Sequence, residues 1–174
     1  MRESGILMHI TSLPAPYGIG TMGKDAYAFV DFLVRAGQRY WQILPLTPTG
    51  YGDSPYQSLG ACAGNHYLID LDRLADEGLL KKEEIQNIPW GSNPARVDFG
   101  AMYAHRMNVL RLAFQRFAPD EAYETFVEQN RSWLEDYALF TALKDTLGGK
   151  PWLDWPEDLR LRKADALAEK RREL

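Results

Sequence analysis

The order of apolar and polar positions near the start of the chain predicts one strand–helix–strand unit. An apolar run over residues 5–11 predicts a buried strand, which is followed by a loop rich in proline and glycine. Apolar residues then recur at helical spacing over residues 25–36, and Gly37 stands where a helix-capping glycine belongs. Residues 40–46 form a second strand-like run. This order predicts parallel strands with a right-handed crossover, and residues 67–71 predict a short third strand.

A long helical pattern covers residues 99–117, and Asp98 is predicted to cap its first turn. Apolar residues recur in it at alternating spacings of four and three, which predicts one buried face. The members of this face are Tyr103, Met107, Leu110, Phe114 and Phe117. On the pattern alone, Tyr103 is therefore predicted to lie in the core.

Further helices are predicted in the last third of the chain. Pro119 fits the first turn of one helix, and Ser132 with Glu135 forms a capping box that predicts the start of another. A last helix is predicted to begin near Pro156. In residues 157–174, 11 of 18 residues are charged and no glycine or proline ends the pattern. A solvated terminal helix and a helix that continues beyond residue 174 both fit this segment.

Composition and net charge limit the classes of protein to which the chain can belong. The chain has 174 residues, of which 45% are hydrophobic and 25% charged, as in a folded soluble domain. Its net charge of −4 provides no general attraction for nucleic acid or for an anionic membrane. The lone Cys62 cannot form an internal disulfide, and the first residues lack a signal-peptide pattern, so a cytoplasmic location is expected.

The loop that follows the second predicted strand carries the candidate chemistry. Residues 50–58 contain two Tyr, one Asp, two Ser and one Gln, and loops after parallel strands commonly build ligand sites. Aromatic faces and neutral polar groups suit a sugar. An ordinary turn, in which Asp53 and Ser54 cap backbone groups, remains the alternative interpretation. The three histidines are scattered without metal-ligand spacing, so neither a metal nor a cofactor is predicted. His9, inside the first predicted strand, is expected to be a hydrogen-bonded residue of the core or of the site floor.

Several strings, taken together, resemble the amylomaltase (4-α-glucanotransferase) family in order and spacing. The resemblance runs from about Gly5 to the end of the chain and is most specific over residues 51–58. The strings that carry it are TSLP (11–14), PYGIG (16–20), YWQILPL (40–46), PTGYGDSPYQS (48–58), AGN (63–65), YLIDL (67–71) and WLEDYALF (133–140).

The resemblance implies an α/β fold that is the N-terminal portion of a (β/α)8 barrel. Residues 1–73 would supply the first two barrel strands and the substrate loop 47–66, and residues 74–174 a mainly helical insertion that is truncated at its end. It also implies that α-1,4-glucans and maltooligosaccharides contact Tyr51, Asp53, Ser54, Tyr56 and Tyr103.

The resemblance further implies a 4-α-glucanotransferase that transfers glucan segments by a retaining double displacement. The catalytic carboxylates are expected after residue 174, in the remainder of the barrel, so no catalytic residue is assigned here and the chain alone is expected to be inactive. Two other hypotheses stay open: a non-catalytic α-glucan-binding module and a helical interaction protein. Two barrel strands by themselves would also leave unpaired edges and an uncovered apolar face.

Overall fold

The predicted strand–helix–strand unit is present in the computed structural model, which describes residues 2–50, 52–93 and 95–174. Strand β1 covers Gly5–Leu7, helix α1 Lys24–Arg35 and strand β2 Tyr40–Gln42. The strands are parallel, and Gly5 pairs with Tyr40. Gly37 adopts a left-handed φ of 68° just after α1, as a capping glycine does.

Both strands are shorter than the apolar runs that predicted them. After Leu7 the chain leaves the sheet and forms a short 3-10 helix over Ile10–Ser12, so the prediction of a strand to residue 11 was wrong there. Ile10 is buried together with Leu13 and Leu68. The apolar run therefore reflects burial in two different local structures, which hydrophobicity alone does not distinguish.

The predicted third strand is also absent from the structure. His66–Leu68 forms a 3-10 helix, and helix α2 begins immediately afterwards at Leu71–Asp76. Polar side chains set these starts: Asn65 Oδ1 accepts from Tyr67 N at 2.9 Å, and Asp70 Oδ1 accepts from Arg73 N at 2.9 Å. A second short helix, α3, follows at Glu83–Gln86.

Helix α4 covers Phe99–Phe114 and begins as predicted, because Asp98 accepts a hydrogen bond from Ala101 N at 3.0 Å. Its buried face differs from the predicted one. The residues that point into the core are Met102, Arg106, Val109 and Ala113, whereas Tyr103 and Phe114 are exposed. An arginine occupies the centre of the buried face, which is why the apolar pattern pointed to the neighbouring stripe.

Helix α5 is continuous over Glu121–Thr146, so the prediction that a new helix begins at Ser132 was wrong. Asp120 caps its start by accepting from Tyr123 N at 2.8 Å. No glycine or proline interrupts the segment, and a capping box inside such a sequence does not by itself end a helix. Gly148 and Gly149 follow its end with left-handed φ values.

The last predicted helix is divided in two. Helix α6 covers Glu157–Arg160 and α7 covers Ala164–Glu173. Arg162 separates them with a φ of 55°. None of the helices in the described part of the chain combines the length and the hydropathy that a membrane span needs.

The chain divides into two compact units, Met1–Ala118 and Pro119–Leu174. The first has a core around the fully buried Leu71, Ile85 and Met102, together with the smaller cluster that includes Ile10. The second has its own core, which contains Leu139, Leu143, Trp155, Leu159 and Leu167. The expected boundary near residue 73 concerns the start of a barrel and stays a prediction.

Apolar side chains remain exposed on the strand–helix–strand unit of the first compact unit. They belong to both strands and to α1, and they comprise Leu7, Tyr27, Val30, Phe32, Val34 and Tyr40. The sheet has two strands in the described part of the chain. Apolar side chains of this strand–helix–strand unit are therefore left uncovered, as expected from the sequence.

Candidate functional site

Backbone hydrogen bonds close the loop after β2 at its base and again near its tip. Asn65 N donates to Leu46 O at 2.8 Å and joins the two ends of the loop. Nearer the tip, Gly50 N donates to Gln57 O at 3.0 Å, beside an antiparallel bridge between Thr49 and Ser58. The described residues of the tip are therefore held together by backbone hydrogen bonds.

Three of the predicted contact residues, Asp53, Ser54 and Tyr56, lie on this tip. Ser54 Oγ accepts from Tyr56 N at 3.3 Å, and Ser54 O accepts from Gln57 N at 3.1 Å, so Ser54 caps a turn. The side chain of Tyr56 is 72% exposed. An exposed aromatic ring held on a closed loop is available to stack on a flat apolar surface of a ligand.

Asp53 and Tyr103 meet although 50 residues separate them in the chain. The Tyr103 hydroxyl donates a hydrogen bond to Asp53 Oδ1. Asp53 holds this orientation from a left-handed backbone, with φ 57°, next to Gly52 at φ 88°. The remaining predicted residue of the loop, Tyr51, lies outside the described residues.

A depression of about 570 Å³ surrounds this contact and is lined by Thr49, Gly50, Gly52, Asp53 and Tyr103. Burial, followed by the hydrogen bond to Asp53, raises the pKa of Tyr103, so its phenol stays protonated at neutral pH. The depression thus presents a carboxylate acceptor, a phenol and backbone groups. These groups can bind the hydroxyls of an uncharged polar ligand.

Buried side chains support the Tyr103 ring from the inside of the unit. Its edge contacts the buried Tyr67, with 6.1 Å between ring centroids. Behind Tyr67 lies Arg106, which is completely buried and donates from Nη2 to Tyr67 O at 3.1 Å and also to Ile69 O. Arg106 was not identified from the sequence. The one indication in the sequence is that this charged residue shares a helical face of α4 with the apolar Met102 and Val109.

His9 was predicted to be a hydrogen-bonded residue of the core or of the site floor. It lies between β1 and the first 3-10 helix, where it is half-buried, and burial lowers its pKa. Its Nδ1 atom is buried without a hydrogen-bond partner among the described residues. The hydrogen-bonded role predicted for this histidine is therefore not observed.

Other parts of the described chain give less evidence for a functional site. A second cavity, of about 490 Å³, lies between the loop of residues 11–20 and the segment around Trp90 and Arg96, and none of the described residues expected to contact glucan lines it. No three His, Cys, Asp or Glu side chains of the described residues come together as a metal site. Cys62 is exposed.

Comparison with known proteins gives consistent matches over nearly the whole chain. A family model described as 4-alpha-glucanotransferase matches residues 8–174. The chain is 49% identical to a 4-alpha-glucanotransferase of Streptococcus pneumoniae over 99% of its own length, and 52% identical to one of Thermus thermophilus over 97%. A solved structure of amylomaltase from Streptococcus agalactiae in complex with acarbose is similar over the full chain, with 46% identity and a TM-score of 0.92.

These relatives are much longer than the chain described here. The matched segment covers 35% of the Streptococcus pneumoniae protein, 34% of the Thermus thermophilus protein and 36% of the amylomaltase structure. The chain therefore corresponds to about a third of each relative.

Proposed function

Because the chain belongs to the 4-alpha-glucanotransferase family, we propose that it is part of an enzyme that transfers α-1,4-glucan segments between maltooligosaccharides. The family match and the similarity to an amylomaltase in complex with acarbose support this proposal. The observation that carries it in the structure is the meeting of Asp53 and Tyr103 beside a closed loop with an exposed Tyr56.

In the proposed enzyme, the two parallel strands are the first strands of a (β/α)8 barrel. Residues 1–73 then form the start of the barrel with its substrate loop, and residues 74–174 form a mainly helical insertion. The exposed apolar side chains on α1 and on both strands support this arrangement, because further strands and helices of a barrel would cover them.

We assign glucan contacts to the loop and to helix α4. Tyr56 stacks on a glucose ring next to the bond that is broken, and Ser54 contacts the glucan nearby while it orients the Tyr56 backbone. Asp53 and Tyr103 bind glucose hydroxyls in the depression, and we assign a glucan contact to Tyr51 from the family resemblance alone. None of these contacts needs a metal or a cofactor.

The proposed reaction is a retaining double displacement. One carboxylate attacks the anomeric carbon as the bond to the leaving glucan breaks, and a carboxylic acid gives its proton to the leaving oxygen. The hydroxyl of an acceptor glucan then displaces the carboxylate and returns a proton to the same acid/base group. Both carboxylates belong to parts of the enzyme beyond residue 174, so we propose that these 174 residues alone are inactive. The setting is starch and maltodextrin metabolism in the cytoplasm.

A chimeric enzyme tests the proposal directly. The chain replaces the matching segment of the Thermus thermophilus relative, with which it is 52% identical. The chimera is expected to convert maltotriose into glucose and longer maltooligosaccharides, measured by chromatography. In this background Tyr56→Ala and Tyr103→Phe are expected to lower activity, while Tyr123→Phe, which changes an exposed tyrosine of α5, is the matched control. A folded chimera that leaves maltotriose unchanged would refute the proposal.

A non-catalytic α-glucan-binding module is the second candidate. The exposed Tyr56 ring and the Asp53–Tyr103 contact both lie within this chain, so binding needs nothing from the rest of a barrel. If the 174-residue chain binds maltoheptaose in calorimetry and the chimera is inactive, this candidate replaces the first.

A further inference from the structure

Arg106 is the one arginine that points into the core of the first compact unit in the described part of the chain. Its side chain is 0% exposed, and burial lowers its pKa to about 10. No carboxylate of the described residues bonds to it, although the charge of Asp70 partly offsets the lowering of its pKa; its Nη2 donates to the carbonyl oxygens of Tyr67 and Ile69. A buried charge without a directly bonded partner of opposite sign is costly, and an apolar residue of similar size would be cheaper.

The guanidinium is held in place from two sides. It lies over the ring of Trp90, with 5.7 Å from Cζ to the ring centroid, and the Trp90 indole is fixed by a 2.8 Å hydrogen bond to Ile85 O. The Nε and Nη1 atoms have no hydrogen-bond partner among the described residues. The only hydrogen bonds of this side chain in the described structure therefore go to the segment of residues 67–69.

These bonds connect helix α4 to the wall of the candidate site. Arg106 and Tyr103 lie three residues apart on α4, on adjacent turns, so both move with the same helix. Arg106 holds the backbone of Tyr67, and the Tyr67 ring in turn contacts the Tyr103 ring. The position of the Tyr103 hydroxyl against Asp53 thus depends on the register between α4 and residues 67–69.

We propose that Arg106 is a positioning residue for glucan binding: it fixes α4 against residues 67–69 in the register that places the Tyr103 hydroxyl on Asp53. A lysine does not reproduce this role, because both carbonyl oxygens are reached from Nη2 and the lysine side chain is one bond too short to place its nitrogen there. The inference rests on the proposed function for its effect on glucan, and its effect on Tyr103 is independent of that function.

The first measurement is calorimetric binding of maltoheptaose to the full chain and to its variants Arg106→Met and Arg106→Lys. Affinity is expected to fall by about tenfold in both, the loss that follows when one hydrogen bond to a charged group is misplaced. Arg116→Met is the matched control. Arg116 also donates to a backbone carbonyl, Leu79 O at 3.1 Å, and to Glu84, but it makes no bond to residues 67–69.

The second measurement needs no ligand. Tyrosines labelled with ¹³C at Cζ report the hydrogen bond of the Tyr103 hydroxyl, and the Tyr103 signal is identified by its loss in Tyr103→Phe. Asp53→Asn gives the chemical shift without the carboxylate acceptor. The Tyr103 signal of Arg106→Lys and Arg106→Met is expected to move toward the Asp53→Asn value, and that of Arg116→Met to stay at the wild-type value.

The two measurements distinguish failure of the proposed role of Arg106 from failure of the proposed glucan site. If Arg106→Met does not fold, Arg106→Lys decides, because it keeps a cation at the same position. Wild-type affinity together with a wild-type Tyr103 signal in folded Arg106→Lys would overturn the proposal and leave Arg106 a purely structural residue. If the wild-type chain does not bind maltoheptaose, the glucan site itself fails, and the ¹³C signal alone decides on Arg106.

Discussion

Replacement of Gly20 by alanine is expected to destabilise the first compact unit strongly. An alanine Cβ at this position would lie 2.0 Å from Ile10 O and 2.8 Å from both the nitrogen and the oxygen of Leu13. These are backbone atoms of two buried residues, so no flexible side chain can move aside to make room. The Cβ–oxygen distance is roughly 1.4 Å shorter than ordinary van der Waals contact.

The expected loss of stability in Gly20→Ala follows from the backbone that the new Cβ displaces. Relief of the contact separates residue 20 from the 3-10 helix at Ile10–Ser12 and strains the 3.1 Å hydrogen bond from Gly20 N to Thr11 O. Overpacking costs about 1–3 kcal/mol and a lost hydrogen bond about 1 kcal/mol, so the free energy of unfolding is expected to fall by about 2–4 kcal/mol. With a urea m-value of about 2 kcal/mol/M, the unfolding midpoint falls by about 1–2 M.

Gly64→Ala is the matched control, because an added Cβ there meets nothing within 4 Å. It is expected to leave the midpoint unchanged or to raise the stability by about 0.4–1 kcal/mol, since alanine restricts the unfolded chain. Urea unfolding is followed by ¹⁹F NMR of 5-fluorotryptophan, in which Trp41 and Trp90 report the first compact unit. Equal midpoints for Gly20→Ala and Gly64→Ala would refute the steric argument.

Three further predictions test the local structure. Met102→Ala, at a fully buried site of α4, is expected to cost about 2–5 kcal/mol of stability. Phe114→Ala, at a 71% exposed site, should cost much less. The reverse order in urea unfolding would show that the face predicted from the sequence is the buried one. Asp98→Ala removes the cap of α4 and is expected to cost about 1 kcal/mol in the same assay, and an unchanged midpoint would contradict the capping role. The hydrogen bonds from Arg116, together with a smaller contribution from the backbone N–H of Lys81, lower the pKa of Glu84 from 4.5 to about 2, so their stabilisation is fully present above pH 4.5 and is lost as the pH falls toward 2. The difference in urea midpoint between wild type and Arg116→Met should therefore shrink over this pH range, and a constant difference would exclude this linkage.

Local signals in the sequence predicted some elements closely. Helix α1 lies within one residue of its predicted ends, Gly37 follows it in a left-handed conformation, and Asp98 caps α4 as expected. These features depend on neighbouring residues only: helical periodicity, the conformational freedom of glycine, and a carboxylate that can reach a free backbone N–H.

The predictions that were wrong depended on distant packing. The buried face of α4 contains Arg106, whose charge is tolerated only because the carbonyl groups of Tyr67 and Ile69 and the ring of Trp90 surround it. The segment of residues 67–71 is apolar enough for a strand, but Asn65 caps a 3-10 helix at its start and Asp70 caps helix α2 at its end. A short apolar run records that a segment is buried and leaves its backbone conformation open.

By itself, the sequence determined which loop carries the candidate chemistry and which family the chain resembles, because both are written in residues that lie close together along the chain. For Tyr103 the apolar pattern predicted the core and the family resemblance a glucan contact; only the tertiary structure shows that its ring is exposed and that its hydroxyl donates to Asp53. That contact joins residues 50 positions apart, and its geometry is fixed by how α4 packs on residues 67–69, which no local pattern of apolar and polar positions encodes.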